Sequence, residues 1–143
     1  MRKSLIHERV VIRRFYGSGL EQILHRKLNP SDGIPFQDIA NCEKRLRRNL
    51  PTALGEYYAM AGKLDINVEH NRLYTPRQLK NWRGKLVFME ENQNVVFWAV
   101  NINDSVDPEV LQACNEMPLR WYSEECTFSR FILKMWRWQR GLA

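Results

Sequence analysis

The clearest pattern of hydrophobic and polar residues lies in the segment Leu86–Val100. Two runs rich in valine and aromatic residues, KLVFME and VVFWAV, flank a polar break at 91–94, and this arrangement predicts a β-hairpin. A strand that is apolar on both faces is normally buried on both, or it presents a binding surface on one of them. We expect the second run to be a central strand of an antiparallel sheet, because both of its alternating sets are apolar: Val95, Phe97 and Ala99, and Val96, Trp98 and Val100.

Two helices are predicted between residue 36 and the hairpin. The first covers Phe36–Arg48, and its apolar side is formed by Phe36, Ile39, Cys42 and Leu46. The second begins at Leu50-Pro51 and has apolar residues at helical spacing, namely Leu54, Tyr57, Tyr58 and Ala61. Gly62 is expected to end this helix as a left-handed cap.

Glu43 falls among the apolar positions of the first helix. A buried carboxylate needs a partner, and the free N–H groups at the start of the second helix attract an anion. Glu43 therefore either braces the second helix or lies at the edge of the apolar face with its carboxylate in water.

The first 35 residues have a less regular pattern. The apolar residues of segment 3–16 do not clearly follow either the two-residue period of a strand or the 3.6-residue period of a helix. Gly17–Gly19 is expected to break this segment, Leu20–Leu28 predicts a short helix, and Asp32-Gly33 predicts a tight turn.

Shorter elements complete the prediction. Asn71–Pro76 is expected to be a short strand that enters a turn, Arg77–Trp82 a helical or irregular connection, residues 101–110 a loop, and Leu119–Tyr122 one further strand. A last helix starts near Thr127, a suitable N-cap, and its apolar arc holds Phe128, Phe131, Ile132, Met135, Trp136, Trp138 and Leu142. Together these elements predict a single α+β domain in which helices pack on a small antiparallel β-sheet.

Length and composition fit one intracellular domain. The chain has 143 residues, of which 44% are hydrophobic. No apolar run approaches the roughly 18 residues that a membrane helix needs, and the N-terminus lacks the pattern of a secretory signal. The cysteines are widely spaced and odd in number, which indicates reduced thiols in the cytoplasm: Cys42, Cys114 and Cys126.

The net charge of +6 lies in the first third of the chain. Residues 1–48 hold 11 Lys and Arg against 5 Asp and Glu, whereas residues 49–143 hold 11 of each sign. This excess is either a solvated helical face or a surface of a regulatory or nucleic-acid-binding adaptor. The adaptor would use Arg13, Arg14, Phe15, Tyr16, Arg26, Lys27, Arg45, Arg47 and Arg48.

The sequence shows no pattern typical of a catalytic or metal site. The three histidines are scattered, and neither a CxxC nor an HExxH spacing occurs. Cys126 follows Glu124 and Glu125, whose negative charge raises the pKa of a thiol and makes it a poor nucleophile. We therefore expect no enzymatic activity, no metal and no cofactor.

The best candidate for a binding site is the polar break of the hairpin, which His70 and Asn71 could join. Successive strand residues point to opposite faces, so Glu90 and Glu91 cannot form an acid–base pair by themselves. The acids and amides either satisfy the turn backbone and keep it soluble, or form a contact surface beside Phe97 and Trp98. The cluster consists of Glu90, Glu91, Asn92, Gln93 and Asn94.

In their order along the chain, these motifs resemble the SUKH superfamily, the Smi/Knr-type cell-wall-assembly-regulator-like proteins that include many bacterial toxin-immunity proteins. The resemblance covers residues 36–140 and begins with a Glu on a basic helix, followed by Leu-Pro and an aromatic-rich helix that ends in glycine. It continues with NRL, with the runs LVFMEENQ and FWAV, with an Asp-Pro pair and with the last helix. The residues that carry it include Glu43, Leu50, Pro51, Tyr57, Tyr58, Gly62, Asn71, Asp107 and Pro108.

The resemblance implies an α+β fold without enzymatic activity, in a protein that neutralises a cognate toxin, often a nuclease, by direct binding. Immunity proteins against nucleases often carry negative charge, whereas this chain is basic. Either the toxin offers an acidic surface, or the neutral part from residue 49 onward makes the contact. The second alternative is favoured and predicts contact through Glu90, Glu91, Asn92, Gln93, Trp98, Trp121 and Tyr122. Residues 1–35 lie outside the resemblance as an N-terminal extension, and the oligomeric state is open.

Overall fold

The computed structural model describes residues 2–103 and 106–142. Within them, four helices pack on a six-stranded antiparallel sheet, so the fold is α+β as predicted. The helices are α1 (Arg2–Leu24), α2 (Phe36–Leu46), α3 (Thr52–Ala61) and α4 (Phe128–Gln139). The strands are β1 (Arg72–Leu73), β2 (Lys80–Trp82), β3 (Lys85–Glu90), β4 (Val96–Asn101), β5 (Glu109–Cys114) and β6 (Tyr122–Thr127). Short 3-10 helices occupy Pro30–Asp32 and Asp65–Val68. No helix of the described residues is both long enough and apolar enough to cross a membrane.

The predicted hairpin forms the centre of the sheet. The strand order is β1-β3-β4-β5-β6, and β2 also pairs with β3. Strand β4 therefore lies between β3 and β5, and its residues Ala99 and Val100 are fully buried. The prediction of a central strand is confirmed.

The two faces of the sheet differ in what covers them. On one face, Phe88 and Trp98 pack against the α4 residues Phe128 and Phe131, with ring centroids 5.0 Å and 5.8 Å apart for Phe88–Phe128 and Trp98–Phe131. Alternation places Val87, opposite Ala99, on the other face. That face is bordered by the β2–β3 turn and by the connection between β5 and β6.

Helix α1 runs without a break through Gly17–Gly19, so the predicted interruption is wrong. Each glycine in a helix costs about 1 kcal/mol relative to alanine, but tertiary packing outweighs this cost. A Cβ on Gly19 would overlap Cδ1 of Leu133 in α4, so the leucine side chain would have to move to admit it. The helix also reaches the core through buried residues one or two turns apart: Ile12, Tyr16, Leu20 and Ile23.

Gly62 follows α3, as predicted, but it is not left-handed, since its φ is −64°. Its Cβ would lie 2.4 Å from Cδ1 of Ile34 and 2.8 Å from the carbonyl oxygen of Tyr58. Close approach of neighbouring atoms therefore explains this glycine. A left-handed residue does end the preceding helix α2, where Arg47 has a φ of 57°.

Three predicted apolar positions of the helices, Phe36, Trp138 and Leu142, are exposed. Phe36, the first residue of α2, is 80% exposed, and Trp138, in the last turn of α4, is 65% exposed. The rest of the predicted arc of α4 includes Phe128, Phe131, Ile132 and Trp136, which are buried. The apolar arc of α4 is thus wider than the part of the helix that packs in the core. Some apolar residues of α4 therefore lie on the protein surface.

The sequence pattern missed strands β2 and β5. Leu119–Tyr122 was expected to form a strand, but β6 begins only at Tyr122. Strand β5 pairs with β4 and β6, and its burial does not alternate, because Leu111 and Gln112 are both half-buried. Pairing on both sides defines this strand more than its own side chains do.

Candidate functional site

A cleft of about 590 Å³ opens between α4, the start of β1 and the turn that joins β3 to β4. It combines aromatic, acidic and amide side chains on one surface. Its lining consists of His70, Asn71, Glu91, Asn92, Gln93, Val96, Trp98, Glu124, Cys126, Phe131, Lys134, Met135 and Trp138.

The sheet forms one wall of the cleft and α4 forms the other. On the sheet, Nε1 of Trp98 donates a hydrogen bond to Oε1 of Glu124 at 3.2 Å, which orients both side chains. On the helix side, the exposed ring of Trp138 lies 5.7 Å from the ring of His70, measured between centroids. The cleft therefore has an aromatic residue on each wall.

Asn71 joins the parts of this cleft. It is only 3% exposed, and its Oδ1 accepts a hydrogen bond from the backbone N–H of Asn92 at 3.1 Å. Its own backbone N–H donates to Oε1 of Gln139 at 2.9 Å, and its Nδ2 lies 3.2 Å from Sδ of Met135. One buried amide thus ties the hairpin turn to the last two turns of α4.

The turn itself is held by its own polar groups. The backbone N–H of Gln93 donates to Oε1 of Glu91 at 2.7 Å, and the backbone N–H of Asn94 donates to the carbonyl oxygen of Glu91 at 2.8 Å. The side chains of Asn92 and Gln93 remain exposed along the cleft. Glu91 therefore stabilises the turn. The side-chain amides of Asn92 and Gln93 are exposed to solvent and can contact a partner.

The structure divides the predicted contact residues among four places. Glu91, Asn92, Gln93 and Trp98 line the cleft, together with His70 and Asn71. Glu90, Trp121 and Tyr122 do not line it, so the predicted contact residues do not all lie in this cleft.

The three displaced residues lie elsewhere for reasons of strand geometry and loop position. Glu90 points to the opposite sheet face, where its Oε2 accepts a hydrogen bond from Oη of Tyr74 at 3.1 Å. Trp121 lines a separate groove beside Trp82. Tyr122 is 58% exposed and borders a small neighbouring depression next to Met117.

The cleft holds one thiol, that of Cys126. Burial raises the pKa of this thiol, Glu124 and Asp107 raise it further, and Lys134 and Arg130 oppose the rise. The pKa of the Cys126 thiol is thus raised, as the sequence predicts, but burial contributes more to the rise than the neighbouring carboxylates. All three cysteines are unpaired. The described residues contain no group of three or more His, Cys, Asp or Glu side chains that could hold a metal ion.

Two of the residues that carry the family resemblance make helix-entry contacts. Oε2 of Glu43 accepts a hydrogen bond from the backbone N–H of Leu50 at 2.7 Å, which is the contact that the bracing interpretation requires. Oδ1 of Asp107 accepts a bond from the backbone N–H of Ser129 at 2.9 Å, and Oδ2 accepts one from Oγ of Ser129 at 2.6 Å. Asp107 thereby caps α4, the helix that forms one wall of the cleft.

The remaining motif residues belong to the framework. Pro51 precedes α3, and the carbonyl oxygen of Pro108 accepts a bond from the backbone N–H of Phe128 at 2.8 Å. The hydroxyl of Tyr57 accepts a bond from Nε1 of Trp136 at 2.7 Å and donates to Oδ1 of Asn67 at 2.6 Å. This buried chain connects α4, α3 and the second 3-10 helix beneath the cleft.

The residues proposed for the adaptor surface are exposed except Tyr16, and several of them also make contacts within the fold. Tyr16 is fully buried, and Arg13 forms an ion pair with the buried Glu56. Arg26 forms an ion pair with Asp32, and Arg45 donates hydrogen bonds to two backbone carbonyls. Several of the proposed contact residues therefore hold the fold together.

Sequence reasoning missed the helix wall of the cleft. Phe131, Lys134, Met135 and Trp138 line it, and the signal that could have found them is the apolar arc of α4, which is too wide to be covered fully.

Comparisons of the chain with known protein families, with curated proteins and with solved structures find no match. Membership of the SUKH superfamily therefore stays a prediction.

Proposed function

We propose that this chain is an immunity-type protein that neutralises one cognate bacterial toxin by binding it directly, and that the cleft around Asn71 is the contact surface. The observation that carries the proposal is that the cleft combines the exposed Trp138 and exposed amides with two half-buried acids, on a frame that the buried Asn71 holds together.

The composition of the cleft favours recognition of a protein. Aromatic residues are enriched in protein interfaces, and tryptophan is prominent among the residues that dominate binding energy. Trp138 is large, apolar and mostly exposed, yet it stands on a helix whose other face is packed in the core. A rigid aromatic group of this kind contributes contact area at little conformational cost.

The local charge of the cleft is acidic, which would allow this basic protein to bind a basic target. Glu91 and Glu124 line it against one cation, Lys134, although the whole chain carries a net charge of +6. Local rather than net charge steers a partner at short range. An enzyme that acts on nucleic acid has a cationic surface, and this surface complements the two carboxylates.

The positions of the family-type residues support the same reading. Glu43, Asn71 and Asp107 each stabilise a junction between elements, and Asn71 and Asp107 do so at the elements that form the cleft. In an immunity-type protein of this resemblance, a shared framework would present a variable contact surface, which here is formed by residues such as Glu91, Gln93 and Trp138.

The test is direct binding to the product of the adjacent gene, with a multidomain toxin as the first choice. Titration calorimetry of the purified pair, and survival of cells that express both, are compared for the wild type, Trp138→Ala and Glu91→Arg. Each variant is expected to weaken binding by about 30-fold or more, the effect of losing an interface residue worth roughly 2 kcal/mol, and to reduce survival.

Matched controls use the same substitutions away from the cleft. Trp82→Ala changes an exposed tryptophan on the opposite sheet face, and Glu21→Arg changes an exposed acid on α1. Both are expected to bind like the wild type. Wild-type affinity in Trp138→Ala and Glu91→Arg would show that the cleft is not the contact surface, and lack of any toxin binding by the wild type would refute the immunity function.

A further inference from the structure

A second groove, of about 560 Å³, lies on the sheet face opposite the cleft. One side is the β2–β3 hairpin, which contributes Trp82, Arg83 and Lys85. The other side is the connection between β5 and β6, which contributes Met117 and Trp121. Nothing in the proposed immunity function uses this groove.

The charged residues of the groove are cationic. Among the described residues that line it, Arg83 and Lys85 carry charge and none is acidic. Strand register adds a third cation, because Lys80 pairs with Val87 and Trp82 pairs with Lys85, which places Lys80 on the same face. Lys85 donates one hydrogen bond, to Oδ1 of Asn101 at 2.7 Å, and an ammonium has three donors. Two donors of Lys85 therefore remain for an anion.

Aromatic rings flank these cations. Trp82 is 41% exposed, and the guanidinium carbon of Arg83 lies 6.0 Å from the centre of its ring. Trp121 faces the same groove from the other side and is half-buried. The guanidinium of Arg83 thus lies over one face of the partly exposed Trp82 ring.

The hairpin holds these groups on a tight turn. Arg83 and Gly84 both have positive φ, 51° and 88°, as in the two-residue turns that match the twist of β-hairpins. The backbone N–H of Gly84 donates to Oδ1 of Asn81 at 2.8 Å. Trp82 and Lys85 therefore start from a defined geometry and lose little entropy when they bind.

We propose that this groove binds single-stranded nucleic acid, with phosphates at Arg83 and Lys85 and bases stacked on Trp82 and Trp121. Aromatic rings placed along a cationic groove are what sequence-tolerant binding of single strands requires, because every base has a flat face and every nucleotide has a phosphate. An acidic protein segment fits less well, because lysine is depleted in protein interfaces and here supplies two of the three cations.

The experiment uses the full chain and a fluorescein-labelled oligouridine of about 10 nucleotides, followed by fluorescence anisotropy at low and at raised salt. The wild type is expected to bind and to lose affinity as salt rises. Trp82→Ala is expected to weaken binding about 5- to 100-fold, and Trp82→Phe to restore most of it, since phenylalanine also stacks. Lys85→Gln is expected to lower the slope of log affinity against log salt by about 0.7.

Controls separate stacking from charge and this groove from the cleft. Trp138→Ala removes a more exposed tryptophan from the cleft and is expected to leave oligouridine binding unchanged. An abasic oligonucleotide of the same length is expected to bind more weakly than oligouridine. Absence of binding at low salt, equal binding of the abasic strand, or wild-type affinity in Trp82→Ala overturns the proposal. Displacement by poly-glutamate at equal charge concentration also overturns it and assigns the groove to an acidic protein.

Discussion

The two faces of the sheet carry surfaces that each contain two tryptophans and differ in charge and construction. The cleft places Trp98 and Trp138 beside Glu91 and Glu124, between a helix and a strand. The groove places Trp82 and Trp121 beside cations, between a tight turn and an irregular connection. A small sheet can thus present an acidic surface and a basic surface back to back.

The difference teaches how each surface depends on the rest of the molecule. The cleft needs α4 in place, and α4 is held by the cap from Asp107 and by packing of Trp136, which is fully buried. The hairpin side of the groove is formed by residues close together in the sequence. Damage to the packing of α4 should therefore affect the cleft more than the groove.

The largest expected effect contrasts two tryptophans of α4. Trp136→Ala removes a buried ring and the hydrogen bond to Tyr57, and we expect it to lower the free energy of unfolding by about 3–5 kcal/mol. Trp138→Ala should change it by no more than about 0.5 kcal/mol, since the side chain is mostly exposed. Urea unfolding followed by circular dichroism measures both values. A loss in Trp138→Ala as large as that in Trp136→Ala would mean that Trp138 belongs to the core.

A smaller effect is expected from substitution of two asparagines. Asn71 supports the cleft, and Asn81 supports the β2–β3 turn of the groove. Asn71→Ala leaves the backbone N–H of Asn92 without its acceptor in a partly buried place, and we expect a loss of about 1–3 kcal/mol. Asn81→Ala removes the acceptor of Gly84 at an exposed turn, where water can replace it, and should cost about 0.5 kcal/mol. Urea unfolding compares the two variants. Equal losses would show that the cleft and the hairpin are held with similar strength.

The smallest effect concerns Tyr74, on the side of the sheet where Glu90 lies. Burial, together with the nearby Glu90, raises the pKa of Tyr74 to about 12 from its usual 10. The neutral form is favoured in the folded state, so its contribution to stability is complete below pH 10 and is lost as the pH rises from 10 to 12. Thermal melting between pH 9 and 12 should therefore fall less steeply in Tyr74→Phe than in the wild type.

The matched control for this titration is Tyr122→Phe, which changes an exposed tyrosine. It should follow the wild-type curve. An unchanged slope in Tyr74→Phe would show that the hydroxyl of Tyr74 does not contribute to alkaline unfolding. Burial also raises the pKa of the fully buried Tyr57 and Tyr58. These two residues would then account for the loss of stability at high pH.

Local patterns were sufficient wherever neighbours in the sequence decide the structure. The alternation in Leu86–Val100 predicts the hairpin and its central strand, and Thr127 stands directly before α4 as expected. The position of Glu43 among apolar residues left two alternatives, a partner at the start of the next helix or a carboxylate in water, and the bond from Leu50 agrees with the first. In each case the cause acts over a few residues.

Patterns were insufficient wherever distant atoms decide. Gly19 and Gly62 look like breaks or caps, but each makes room for a side chain from another element, Leu133 and Ile34. Strand β5 needs two neighbouring strands to define it. None of these contacts can be predicted from the local order of polar and apolar residues.

For the candidate surfaces, the sequence by itself determined which residues are aromatic, acidic or amide, and it determined that Glu90 and Glu91 must point to opposite faces. Only the tertiary structure decided that Glu91 joins His70, Asn71 and Trp138 in one cleft, whereas Trp121 joins Trp82 in another groove. Alternation along a strand is a property of the backbone at one residue. The element that packs over each face is chosen by contacts between residues far apart in the chain, so the cleft and the groove exist only in the folded protein.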